Sequence, residues 1–129
     1  MKKLNRPYFI YDYPASQASL SKKKPEDPRF AERFEVFLAG IELGNCFSEL
    51  TNAQEQKERF VKELSERKNA GKTEYTIDNE LIKALSKGMP EVSGIAVGVD
   101  RLIMLAADVG NISETMFFPA EEIFDLPNA

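Results

Sequence analysis

Apolar residues in this chain change their spacing several times, and each change marks an element. Pro7-Tyr-Phe-Ile-Tyr-Asp-Tyr-Pro14 is an aromatic run bracketed by prolines, which predicts one short strand ending at Pro14. Ala15 to Pro28 has no periodicity; with Ser16, Ser19, Ser21, Lys22 to Lys24 and two prolines it reads as a loop. From Ala31 the pattern alternates, with Phe34, Val36 and Leu38 on one side and Arg33, Glu35 and Phe37 on the other. Ala39-Gly40 predicts a turn, and Ile41 to Leu50 returns as a second, antiparallel strand. Glu42 and Asn45 have opposite parity in a regular strand. Gly44 predicts a bulge whose extra residue would let Glu42, Asn45, Phe47 and Glu49 share a face.

The period then becomes helical. Asn52 with Glu55 three residues on predicts a helix start, Phe60, Val61 and Leu64 form its apolar stripe, and Asn69-Ala-Gly71 ends it. Asp78 caps a shorter helix through Lys87, with Leu81, Ile82 and Leu85 inward, and Gly88 and Pro90 prevent its continuation. Ser93 to Val99 predicts a strand of small and β-branched residues. Asp100 opens a last helix carrying Leu102, Ile103, Leu105 and Ala106, and Met116-Phe-Phe-Pro119 reads as one more short buried piece. No repeat or low-complexity segment is present.

Composition narrows the chemistry. At 129 residues, 43% apolar and 29% charged, the chain is one ordinary globular unit. A net charge of -4 gives no basic footprint for nonspecific nucleic-acid binding. The absence of histidine removes Ser-His-Asp and Cys-His machinery and His-ligated zinc. A lone Cys46 forms neither an internal disulfide nor a cysteine metal cluster and fits a reducing compartment. Met1-Lys-Lys is followed by no continuous apolar stretch, and no later run reaches membrane-spanning length, so the chain reads as cytoplasmic, with no membrane partner.

Against that background the carboxylates of Ile41 to Leu50 stand out. Glu42 and Glu49 lie in a segment whose composition reads as buried strand, and a carboxylate taken out of water needs a cation, a metal ion or a polar ligand opposite it. Glu35 and Glu42 flank a tight turn, within reach of one ion held by carboxylates and completed by substrate phosphates. The plainer reading pairs each with Arg33 or Arg101 across the sheet. Glu49 could equally cap the following helix, Asn45 satisfy the bulge, and Phe47 be core. Gly94-Ile-Ala-Val-Gly-Val-Asp-Arg101 carries a strand into a helix N-terminus with an arginine, a junction that favours phosphate. With Ala at position 96 and its glycines four apart, it is not a dinucleotide-binding G-x-G-x-x-G.

Taken together, Arg33-Phe-Glu35, Gly40-Ile-Glu-Leu-Gly-Asn-Cys-Phe-Ser-Glu-Leu50, Glu55-Gln56 and Gly94-Ile-Ala-Val-Gly-Val-Asp-Arg101 resemble the last part of a class II lysyl-tRNA synthetase catalytic domain, the final segment matching that class's third signature motif. Tyr13-Pro-Ala-Ser-Gln-Ala-Ser-Leu20 and Gly88-Met-Pro-Glu-Val-Ser-Gly94 look more like the short paralogues that ligate (R)-β-lysine to a lysine of translation elongation factor P. Lysyl-tRNA synthetases usually carry Ser-Pro-Leu-Ala where this chain has Ala18-Ser-Leu-Ser21, and glycine in place of Ala96 and of Cys46.

The resemblance implies an α+β fold, part of the class II antiparallel sheet flanked by helices, over residues 1–129. It implies ATP and Mg2+ as cofactors, with Glu35 and Glu42 as the metal ligands on the ATP phosphates, Arg101 as the catalytic arginine that clamps ATP, and Gly98 beside the adenosine. It implies an amino-acid pocket of Glu42, Asn45, Phe47, Glu49 and Ala96, in which Glu49 faces a terminal ammonium and Ala96 narrows the space beside the α-carbon. The implied reaction is activation of a lysine-like amino acid as an adenylate and transfer to elongation factor P, by positioning and electrostatics without a protein nucleophile. The class also has a motif 1, for dimerisation as a homodimer, and a motif 2, whose arginine grips the α-phosphate. Neither is in these residues, so the chain alone is expected to be inactive. A fragment of an authentic lysyl-tRNA synthetase charging tRNA(Lys), and a noncatalytic synthetase-like binding module, are the alternatives.

Overall fold

The computed structural model describes residues 6–18 and 20–124; Met1-Lys-Lys and Ser19 lie outside the described residues. Four strands, β1 (Tyr8–Pro14), β2 (Phe30–Leu38), β3 (Ile41–Ser48) and β4 (Ser93–Val97), form one sheet in the order β1-β2-β3-β4. Four helices accompany them: α1 (Ala53–Asn69), α2 (Asn79–Ser86), α3 (Val99–Ala106) and the single turn α4 (Ala120–Ile123). The architecture is the expected α+β, with an antiparallel sheet. The β2–β3 hairpin closes through Ala39 and Gly40, both left-handed at φ 52° and 77°, as a two-residue turn of matching twist requires. Between β3 and β4 the Gly98 amide donates to the Leu43 carbonyl at 2.8 Å and the Glu49 amide to the Val92 carbonyl at 3.0 Å. Residue numbers rise on one strand as they fall on the other, and both bonds belong to the same register.

The chain divides into two compact units. One takes the chain up to Ile10, Glu35–Asn45 and the chain from Ile95; the other takes Tyr11–Phe34 and Cys46–Gly94. In the first, the Tyr8 and Phe37 rings stack with centroids 5.2 Å apart, and α3 packs on a 3-10 turn at Ile112–Thr115. In the second, α1 packs on α2, and Ala18, Ala31, Leu50 and Leu85 are buried together with Ser21 and Gln56. Ser21 is satisfied: its hydroxyl donates to the Glu32 carbonyl at 2.7 Å, and its carbonyl accepts from Arg59 Nη1 at 2.7 Å.

The helix boundaries follow their caps. Asn52 Oδ1 accepts from the Glu55 amide, Asp78 accepts from the Glu80 and Leu81 amides, and Gly88 ends the second helical segment at φ 92°.

Four expectations change. Ala15 to Pro28 is not simply loop: a 3-10 turn occupies Ala15–Gln17, and Ser21 and Lys23 bridge to Glu49 and Ala31, because the backbone of Lys22 and Lys24 pairs with the backbone groups of Ser48, Glu32 and Phe30. The helix expected to open at Asp100 starts at Val99, with Gly98 as its N-cap, and the single turn α4 follows it. Met116-Phe-Phe-Pro119 is buried only at Pro119: Phe117 and Phe118 are 97% and 79% exposed, since nothing among the described residues covers them. Gly44 inserts no extra residue against β4. A Cβ there would stand 3.2 Å from Ile95 Cδ1 and 3.3 Å from the Ala96 carbonyl, so the close approach of β4 is what demands glycine.

Candidate functional site

In the first unit the hairpin and the β4–α3 junction meet. Glu42 lies one residue before the Leu43–Gly98 bond, where the ladder gives way to α3. Arg101 Nη1 donates to the Glu42 carbonyl at 2.9 Å, so the guanidinium bonds the backbone of the carboxylate's own residue. Gly98 makes this possible, because a Cβ on it would stand 3.1 Å from Arg101 Cδ and 3.5 Å from Cγ. The arginine stem folds back over the glycine. No side chain caps α3, so its first amides are left to other acceptors in the same turn that carries the Arg101 guanidinium. One step along the same register Asn45 stands opposite Ala96, and Glu35 is on the facing arm of the hairpin.

In the second unit Phe47 stands opposite Gly94 in that register, with Glu49 two residues on along the same face. The Arg33 guanidinium lies 4.3 Å from the Tyr13 ring and 5.5 Å from the Phe47 ring, and its Nη1 donates to the Gln17 carbonyl at 2.7 Å. Phe47 is therefore a ring braced by a cation, rather than closed core. Glu49 lines a cleft of about 300 Å3 with Lys22, Glu32, Ser48, Val92 and Ser93, one side of which is closed by the Lys22–Glu91 ion pair at 3.1 Å. Its role as a helix cap is taken by Asn52. Burial pushes the Cys46 thiol up, and the negative charge of Glu49 adds to the effect.

The carboxylates are not buried as expected; Glu35, Glu42 and Glu49 are all half-buried, reachable by solute. Among the described residues no group of three or more Asp, Glu, His or Cys converges as a metal cage. Glu35 and Glu42 supply at most two carboxylates, which suits a magnesium ion whose other ligands are phosphate oxygens and water, and does not suit a resident structural metal. Sequence reasoning places Gly94 in the strand that leads to Arg101 and misses its relation to Glu49. A Cβ there would stand 3.2 Å from Glu49 Oε1, a relation between positions far apart in the chain that no local motif announces.

Comparison with known proteins decides the family. The family described as tRNA synthetases class II (D, K and N) matches residues 1–122. This chain belongs to that family. Its similar relatives include proteins named elongation factor P–(R)-beta-lysine ligase from Proteus mirabilis, 53% identical over 116 residues, and from Edwardsiella ictaluri, 51% identical over 116 residues, each match covering 90% of this chain and 36% of the relative. The protein of that name from Vibrio cholerae is 52% identical over 113 residues, covering 88% of this chain and 35% of the relative. The chain thus spans about a third of the length of the curated relatives it matches.

Proposed function

We propose that the chain is the C-terminal portion of a class II synthetase-type catalytic domain that activates lysine or (R)-β-lysine with ATP and ligates it to a lysine of elongation factor P. The observation that carries this reading is the Gly98–Arg101–Glu42 assembly, a guanidinium at a helix N-terminus fixed on the Glu42 backbone carbonyl, in a chain about half identical to ligases of that name. The exposure of Ile95, Val97, Leu102, Phe117 and Phe118 supports a longer domain, because a stable protein does not leave so much apolar side chain to water. We place motifs 1 and 2, and a homodimer interface, in that remainder, and the enzyme in the cytoplasm.

In this reading Arg101 and the first amides of α3 hold the ATP phosphates, Gly98 lets the nucleotide lie against the strand, and Asn45 binds the carboxyl end of the amino acid. Phe47 walls its chain, Ala96 limits the space at the α-carbon, and Glu49 meets the terminal ammonium. Glu35 and Glu42 would hold magnesium, which when bound supplies charge neutralisation of the phosphates. The amino-acid carboxylate attacks the α-phosphorus, pyrophosphate leaves, and the acceptor amine then attacks the adenylate carbonyl and releases AMP. Each step is favoured by placement and charge, with no covalent enzyme intermediate.

ATP–pyrophosphate exchange tests the reading. The full-length protein should exchange in the presence of lysine or (R)-β-lysine and not of leucine, whereas the isolated 129-residue chain should not exchange at all. Robust exchange by the isolated chain, or none by the full-length protein with any amino acid, would contradict it.

A further inference from the structure

The geometry points to Gly94 as a specificity-determining position of the amino-acid pocket: its missing side chain lets Glu49 lay its carboxylate against the β4 backbone, where a ligand ammonium meets it. The inference rests on the reading of Glu49 as the ammonium partner and adds what sets that carboxylate's position. The usual reasons for glycine are absent at residue 94. Its φ is outside the left-handed region, which among the described glycines is used by Gly40, Gly71 and Gly88, and it lies on an exposed strand where a methyl group would otherwise find room. A Cβ on Gly94 would have one neighbour within 4 Å, Glu49 Oε1 at 3.2 Å. The contrast with Gly44 and Gly98 is sharp, since Gly44 is crowded by Ile95 and the Ala96 carbonyl, and Gly98 by the stem of Arg101.

Backbone pairing prevents Glu49 from simply stepping aside. Its amide donates to the Val92 carbonyl at 3.0 Å, two residues from Gly94, which fixes the start of the side chain against β4. A methyl group at residue 94 therefore acts on the far end of the side chain, moving the carboxylate by a few tenths of an ångström in the one direction that matters to a cation above it. One methyl group in a recognition pocket changes selectivity by about 10-fold or more. Gly94 is a positioning residue, acting through Glu49.

Steady-state exchange in the full-length protein, with lysine and (R)-β-lysine as probes, tests this with Gly94→Ala and Glu49→Gln side by side. Gly94→Ala should raise the KM for the amino acid about 10-fold, leave the KM for ATP and the melting temperature unchanged, and Glu49→Gln should raise the amino-acid KM further. If Glu49→Gln weakens the amino acid and Gly94→Ala does not, or if Gly94→Ala raises both KM values together, the role of Gly94 is overturned and that of Glu49 stands. If Glu49→Gln leaves the amino-acid KM unchanged, the reading of Glu49 falls and this inference with it. Should Gly94→Ala not fold, Glu49→Asp carries the test, because it withdraws the carboxylate from Gly94 by one methylene with the glycine intact; an unchanged amino-acid KM in that variant overturns the inference.

Discussion

Single side chains here act through what they touch, and two of them make separable predictions. Arg101 spends one donor on the Glu42 carbonyl, which leaves the Glu42 carboxylate to a different partner. Glu42→Gln in the full-length protein should weaken magnesium-ATP by at least the roughly 10-fold that loss of an outer-shell metal contact costs, read from the magnesium dependence of exchange; an unchanged dependence would remove Glu42 from the metal role. Ala96 stands opposite Asn45, and in the proposed reading, with Asn45 at the carboxyl end of the amino acid, its methyl group limits where the neighbouring amine sits. Ala96→Gly should favour α-lysine over (R)-β-lysine by about 1–3 kcal/mol relative to the parent, checked by the ratio of kcat/KM values for the two amino acids. An equal ratio in parent and variant would mean that the methyl group faces away from the pocket.

At the scale of elements, local chemistry predicted most of what formed. The Ala39-Gly40 turn, the Asn52 and Asp78 caps and the Gly88 stop all act within a few residues, where the relevant hydrogen bonds are decided, and all are present. Gly44 and the segment Ser21 to Lys23 depart from expectation for the opposite reason: one is explained by β4, some fifty residues on, and the other by the backbone groups of Glu32 and Ser48 that it meets. The site divides the same way. The junction that carries Gly98 and Arg101 has a local sequence signal, whereas the bond from Arg101 to the Glu42 carbonyl and the contact of Gly94 with Glu49 exist only after β3 and β4 pair.

The turn into β2 adds a pH prediction. Asp27 accepts from Arg29 Nε and Nη2 at 2.9 and 2.7 Å and from the Arg29 amide at 3.2 Å, which together hold its carboxyl down at about 2. A carboxyl depressed in the folded state contributes stability above its unfolded value near 3.9, and that contribution is lost as pH falls from about 4 towards 2. The Asp27 carboxyl resonance should therefore titrate near 2 in the folded chain, and Arg29→Ala should return it towards the ordinary value.

The whole molecule is best understood by what it leaves uncovered. The side chains buried in its second unit are small or few, while β4 is exposed along its length and Phe117 and Phe118 face solvent. A sequence pattern shows which positions are apolar and says nothing of whether the covering surface lies in the same stretch of chain, so Met116-Phe-Phe-Pro119 read as buried. The chain spans about a third of the relatives' length, and in the proposed reading it supplies the third motif and part of the sheet of a longer domain. Incubation of the full-length protein with ATP, (R)-β-lysine, purified elongation factor P and tRNA(Lys), followed by intact-mass analysis of the elongation factor and acid-gel analysis of the tRNA, addresses the proposed activity itself. The account predicts addition of one β-lysyl group to a lysine of elongation factor P, dependent on ATP, with the tRNA uncharged. Charging of tRNA(Lys) with the elongation factor left unmodified would contradict it.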